Sequence, residues 1–309
     1  MLTAPAARHK NKPLKATITM NSFTKWLLLA IAMCAFAANS LLCRAALRHD
    51  LIDPASFTTV RLVSGAAVLT MILAARGGIT RPAFDLRAAL ALFVYAACFS
   101  FAYVDLSAGT GALLVFSAVQ LMMISVGLWR GDRSSPIVWT GFALAAGGLV
   151  YLLAPGVTAP RPGAAALMLT AGAAWGVYSL RGAGRSDPIA ATTWNFIAAA
   201  PLAVLLNLLV ARSAHASAAG IGWAMLSGAI ASAIGYVIWY RVLPLLPAIV
   251  AATVQLSAPM LAAIGGVVLL GEPATARLGL ASIAILGGIG LVIGARQRQA
   301  RGLRLRTGN

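Results

Sequence analysis

Residues 53–63 read DPASFTTVRLV, and residues 187–197 read DPIAATTWNFI. The shared frame, Asp-Pro-x-x-x-Thr-Thr, is a specific pattern to find twice in a chain dominated by Ala, Leu and Gly. Further on, Ser117-Ala118, Gly131-Asp132 and Gly147-Gly148 return in the same order as Ser257-Ala258, Gly271-Glu272 and Gly287-Gly288. Self-similarity of this kind marks an internal duplication, and it has to be read before anything else. Each Asp-Pro frame opens an apolar run long enough to cross a bilayer, which takes roughly 20 residues.

Working outward from the two frames, the charged and Pro/Gly-rich breaks divide the chain into ten such runs. They cover residues 26–47, 55–75, 88–105, 108–129, 137–155, 163–181, 188–211, 219–240, 247–270 and 276–295. The thinnest division is Asp105-Leu106-Ser107, between the third and fourth. Five runs fall in each copy. Five is odd, so the second copy enters the membrane from the opposite side to the first, the inverted plan of many secondary transporters. The expected fold is therefore an all-α integral membrane protein. Its ten transmembrane helices form two inverted five-helix repeats, residues 26–155 and 163–295, around a central cavity. Basic tails cover residues 1–25 and 296–309. Met20 offers a second possible start, leaving residues 1–19 as a solvated tail.

Composition agrees. Of 309 residues, 60% are apolar and 10% charged, too few for the charged shell of a soluble domain this long. The net charge of +17 belongs to the span ends and carries no aromatic-interleaved nucleic-acid motif. With the N-terminus inside, 18 of the 24 Lys and Arg fall on the cytoplasmic side and five on the other. That bias orients both termini to the cytoplasm. The first apolar run lacks a cleavage site and reads as a retained span. Cys34, Cys43 and Cys98 have no metal-ligand spacing, and no disulfide framework or cofactor is expected. The connecting segments leave no room for a catalytic domain, and no His-Glu-x-x-His, Walker loop or intramembrane aspartate pair is present.

Arg61 lies about one-third of the way into the second span, roughly 10 Å below the outer surface at 1.5 Å per residue. At that depth an arginine faces water, a partner or an anionic ligand, or snorkels to the headgroups. Its counterpart in the second copy is the neutral Asn195. Asn39, Gln120 and Gln255 are the polar residues nearest mid-span, and Trp175 and Tyr178, three apart, share a helix face. The expected substrate-binding set is therefore Asn39, Arg61, Gln120, Trp175, Tyr178, Asn195 and Gln255. Each Asn, Gln or Tyr can equally serve as hydrogen-bond glue between helices. Pro201 and Pro259 fall inside runs and should kink them or free backbone carbonyls. All seven acidic residues lie at or near span ends. Proton coupling would have to use Asp105 or Glu272, or be absent.

Phe57-x-x-x-Arg61, then Tyr240, Leu243-Pro244, Ala251-Ala252, Pro259, Leu270-Gly271-Glu272, Gly279 and Gly287-Gly288 together resemble the EamA-type members of the drug/metabolite transporter superfamily. The first copy departs from that pattern, with Val119 at the place of Pro259 and Asp132 at the place of Glu272. The resemblance implies ten spans in a basket, alternating access and a bacterial inner-membrane location. It implies small-molecule substrates such as amino acids, other metabolites or toxic compounds, usually exported. A membrane receptor or assembly component that transports nothing is the alternative reading, and the inverted duplication weighs against it.

Overall fold

A computed structural model describes residues 21–77, 85–129, 135–182, 185–210, 214–246, 251 and 254–306. The tail before Asn21 and the Gly131-Asp132 pair lie outside them. The first five helices are α1 (Ser22–Arg48), α2 (Pro54–Ala75), α3 (Leu86–Ala102), α4 (Ala108–Trp129) and α5 (Pro136–Leu153). The second five are α6 (Pro162–Gly182), α7 (Pro188–Leu209), α8 (Ala218–Leu245), α9 (Ser257–Leu270) and α10 (Ala276–Arg306). Eight are long and apolar enough to span a membrane, and α3 and α9 are shorter apolar helices between them. The chain is a multi-pass, all-helical membrane protein.

The Asp-Pro frame now has a physical explanation. Asp53 caps α2, its carboxylate accepting from the amides of Ala55 at 3.0 Å and Ser56 at 2.9 Å. Asp187 caps α7 likewise, accepting from Ile189 and Ala190 at 3.1 Å each. The following prolines occupy the first helical turn, where a missing N–H costs nothing. The Thr pairs bond back to carbonyls four residues earlier, Thr58 to Pro54 and Thr59 to Ala55, Thr192 to Pro188 and Thr193 to Ile189. Hydroxyls that would be unsatisfied in hydrocarbon are thus paired within their own helix.

The two caps lie at opposite ends of the bundle. Arg76, closing α2, sits 3.9 Å from Asp187, which opens α7. At the other end Asn207, near the close of α7, donates to Ser56 at the start of α2, 3.1 Å away. So α2 and α7 run antiparallel in contact, as an inverted duplication requires. The neighbour relations obey the same exchange: α1 packs on α8 and α9 as α6 packs on α3 and α4, and α2 on α8 as α7 on α3. The pairs α2–α7 and α5–α10 lie across the pseudo-two-fold. At the α5–α10 crossing a Cβ on Gly288 would lie 2.5 Å from the Gly141 carbonyl oxygen, whereas one on Gly287 would meet nothing within 4 Å. Only the second glycine of that pair is a packing glycine.

Three features differ from the sequence expectation. The third helix closes at Ala102, not 105, because Tyr103–Leu106 form the turn into α4. The ninth run, expected over 247–270, is broken: α9 begins at Ser257 after a turn at Leu256. Pro259 therefore sits in a first turn, which needs no N–H from it, and does not kink a continuous span. The third feature has no signal in the sequence. Within α8, Leu226–Ile234 is π-helical, between α-helical Ala218–Met225 and Gly235–Val242, and a 3₁₀ turn closes it at Leu243–Leu245. Pro201 lies within α7, which stays helical through it.

Candidate functional site

A cavity of about 450 Å³ occupies the middle of the bundle. It runs from Asn39, Ser40 and Phe99 at mid-bundle to Gly182, Arg185 and Leu243 at one end. This end, the Arg185 end, is where α1 begins. Four of the seven expected binding residues line the cavity: Asn39, Gln120, Trp175 and Gln255. Trp175 stacks within an aromatic group, its ring centroid 4.7 Å from Tyr95, 5.3 Å from Tyr178 and 5.2 Å from Tyr236. Tyr95 and Tyr236, in-span tyrosines outside the expected set because such residues commonly serve as glue, also belong to the wall. Tyr178 and Asn195 instead face a small adjoining recess of about 10 Å³, where the Tyr178 hydroxyl lies 3.4 Å from Thr192 Oγ1.

Arg61 does not line the cavity, and it does not snorkel. Its side chain is 1% exposed and lies one layer behind the wall. Nη2 donates to the Tyr95 hydroxyl at 3.1 Å and Nε to Ser232 Oγ at 3.4 Å, and both acceptors line the cavity. The guanidinium carbon sits 5.1 Å from the ring centroids of Tyr95 and Phe99, a geometry that stabilises a cation in an apolar setting. Nη1 is buried with no hydrogen-bond partner among the described residues. No Asp or Glu among the described residues lines the cavity.

The π-helical segment explains how one helix serves two partners. Ser227 donates to Asn39 Oδ1 at 2.6 Å, and Ser232 accepts from Arg61. Five residues apart, the two would point roughly 140° away from each other on an α-helix. With i→i+5 geometry they are close to one full turn apart and face the same side. Gly228, within this segment, lets α8 approach α2 so closely that a Cβ there would lie 2.1 Å from the Arg61 carbonyl oxygen.

The opposite end of the bundle is shut. Glu272, 7% exposed, accepts from Arg44 Nε at 3.1 Å and from the Ala108 amide at 2.8 Å. Arg44 Nη1 also bonds the carbonyls of Tyr103, 3.0 Å, and Val104, 2.8 Å. Gly271, with φ +62°, provides the left-handed turn after α9 that returns Glu272 over the helix end, where its amide bonds the Gly266 carbonyl at 2.9 Å. One carboxylate thus ties α1, the α3–α4 turn and the α9–α10 turn. Under the pseudo-two-fold the junction of α1, α3, α4 and α9 exchanges with that of α6, α8, α9 and α4. Ser179 of α6, Tyr240 of α8 and Met123 of α4, with Gln255 just before α9, border the cavity near the Arg185 end. One end of the bundle is thus tied across α1, the α3–α4 turn and the α9–α10 turn, while the described residues toward the Arg185 end border the cavity.

Toward the Arg185 end, Asp85 joins α3 to α6, accepting from Arg181 Nε at 3.0 Å and Arg185 Nη2 at 2.8 Å. Burial alone would raise its pKa, but the Arg181 hydrogen bond, the Ala88 amide and the two guanidinium charges outweigh that and hold it below the ordinary carboxylate value.

Residues 163–294 match the EamA-like transporter family. An uncharacterized protein of Pseudomonas aeruginosa is 52% identical over 275 residues, which cover 89% of this chain and 96% of that one. The chain belongs to the EamA-like transporter family. It is thus a membrane transporter of the drug/metabolite transporter type, and the matched stretch runs from α6 into α10. A crystal structure at 19% identity superposes with a TM-score of 0.63, covering 90% of this chain and 100% of the other. That likeness concerns the fold alone. Within the EamA frame, Leu270-Gly271-Glu272 forms the closed junction, and the arginine of Phe57-x-x-x-Arg61 stands behind the cavity wall.

Proposed function

We propose that the chain is a secondary carrier of small metabolites that works by alternating access between its two inverted halves, residues 26–155 and 163–295. The observation that carries this is the difference between the two ends of the bundle: one is tied by Arg44 and Glu272, and the described residues toward the other border a central cavity. A passive receptor or scaffold has no need for two-sided symmetry, and a permanent channel would not tie one end shut. Asn39, Gln120, Trp175 and Gln255 would contact the substrate, with apolar walls and a few placed polar groups. Tyr178, Asn195 and Arg61 would support that wall from behind.

The basic-residue bias puts both termini and the Arg185 end in the cytoplasm of a bacterial inner membrane. The cavity then loads from the cytoplasmic side, the side from which an exporter takes its cargo. With no carboxylate among the described residues of the cavity wall, exchange or facilitated flux fits better than proton drive.

Flux into proteoliposomes tests the reading. A labelled panel of amino acids, organic acids and lipophilic cations, with and without a pH gradient, should give saturable uptake of one class. Arg61→Ala should cut that uptake while leaving membrane abundance unchanged. Absence of saturable flux for every class, from protein shown to be folded, would remove the carrier reading and favour a receptor.

A further inference from the structure

The hydrogen bonds behind the cavity wall have a direction, and it fixes what the wall offers a ligand. An arginine has no acceptor, so the Tyr95 hydroxyl oxygen must accept from Arg61 Nη2. Asn39 Oδ1 is taken by the Ser227 hydroxyl at 2.6 Å, so the Asn39 amide nitrogen is the group directed at Tyr95, 3.3 Å away. Two donors converge on the Tyr95 oxygen. Its own proton has no acceptor among the described residues. Ser232 Oγ accepts from Arg61 Nε in the same way, and its proton likewise has none. Tyr95, Ser232 and Asn39 all line the cavity. Between them they offer it two hydroxyl protons and the second amide proton of Asn39.

This patch is rich in donors and poor in acceptors, and a buried cation with an unsatisfied Nη1 stands directly behind it. A positive charge behind a hydroxyl oxygen polarises the O–H and strengthens its bond to an anion. Facing the patch, Trp175, Tyr236, Phe36 and Trp239 supply aromatic surface. Ammonium groups find no carboxylate there to pair with.

We infer that the cavity selects small organic monoanions with a flat apolar body, the carboxylate held by the Tyr95 and Ser232 hydroxyls and the Asn39 amide under the field of Arg61. This rests on the carrier reading of the same cavity. It makes Tyr95 a specificity-determining residue, separable from the charge it relays.

The test is equilibrium binding of radiolabelled hydrocinnamate to the purified full chain in detergent, with displacement by hydrocinnamyl alcohol and by phenylpropylamine. The three share one ring and one linker and differ in charge. The anion should bind at least tenfold more tightly than the alcohol, and the amine should not displace it. Tyr95→Phe keeps the ring and removes the hydroxyl, so it should weaken hydrocinnamate about tenfold and leave the alcohol unchanged. Ser232→Ala should act in the same direction and more weakly, and it gives a second reading if Tyr95→Phe loses its fold. Equal displacement by alcohol or amine, wild-type affinity in both folded variants, or no binding of hydrocinnamate would each overturn the inference. Saturable flux of a neutral or cationic solute in the proteoliposome panel, beside any of those results, would leave the carrier reading standing without it.

Discussion

Replacing Glu272 with Gln should move the protein from its present state toward the one open at the opposite end. The carboxylate accepts from Arg44 at 3.1 Å and from the Ala108 amide at 2.8 Å, and both ion-pair side chains are largely buried, at 14% and 7% exposure. Glutamine keeps the shape and one acceptor but loses the charge, so Arg44 keeps the carbonyls of Tyr103 and Val104 but no charged partner. Hydrogen bonds to charged groups contribute about 1.5–3 kcal/mol each, and losing the charge-assisted partner should cost this junction about 2–3 kcal/mol. These contacts cross an interface that parts when the end opens, so the cost falls on the closed form alone. A shift on the order of 30- to 150-fold in the two-state ratio follows. The assay is labelling by a membrane-impermeant maleimide, read site by site by mass spectrometry so that Cys34, Cys43 and Cys98 do not interfere. Met123→Cys, on the cavity wall toward the Arg185 end, should label readily from that side and lose much of its reactivity when Glu272→Gln is added. Ser40→Cys should become reachable from the other side. Unchanged labelling at both positions in a folded Glu272→Gln protein would refute the idea that this junction sets the access state.

Gly288→Ala should destabilise the α5–α10 crossing by about 1–3 kcal/mol, the ordinary cost of overpacking, while the adjacent Gly287→Ala should be neutral; thermal unfolding in detergent separates them. The Asp85 carboxyl is held below its ordinary value in the folded protein, so the unfolded chain binds more protons in the window just below about pH 4, where ordinary carboxylates titrate. Its contribution is therefore full above that range and falls away as pH drops through the lowered value. Unfolding curves compared between wild type and Asp85→Asn should converge at the acid end and separate as pH rises.

Much of this molecule was legible in its residues, and the reasons can be assigned position by position. The Asp-Pro-x-x-x-Thr-Thr frame announced the duplication because capping, proline at the first turn and threonine back-bonding are local chemistry, set within five or six residues. The number of apolar runs required inversion, since five is odd. Asn39, Gln120, Trp175 and Gln255 were found on the cavity wall because polar and aromatic groups at mid-span have few places to go in hydrocarbon. Arg61 was conspicuous for the same reason, though its depth along the helix said nothing about the direction in which it faced. The hydrogen bond of Tyr95 to Arg61, the place of Ser232 and the closure of Glu272 on Arg44 stayed hidden, because each depends on contacts between residues far apart in the chain.

The sequence alone therefore determined the membrane class, the count of helices and their inverted duplication, since these follow from hydropathy, charge placement and local capping. The tertiary structure alone decided that Glu272 and Arg44 close one end, that Arg61 sits behind the wall instead of in it, and that a π-helical turn brings Ser227 and Ser232 to one face. Those outcomes turn on helix–helix registers and on one extra residue per turn within α8. Neither changes the composition of any segment, so neither leaves a periodicity to read.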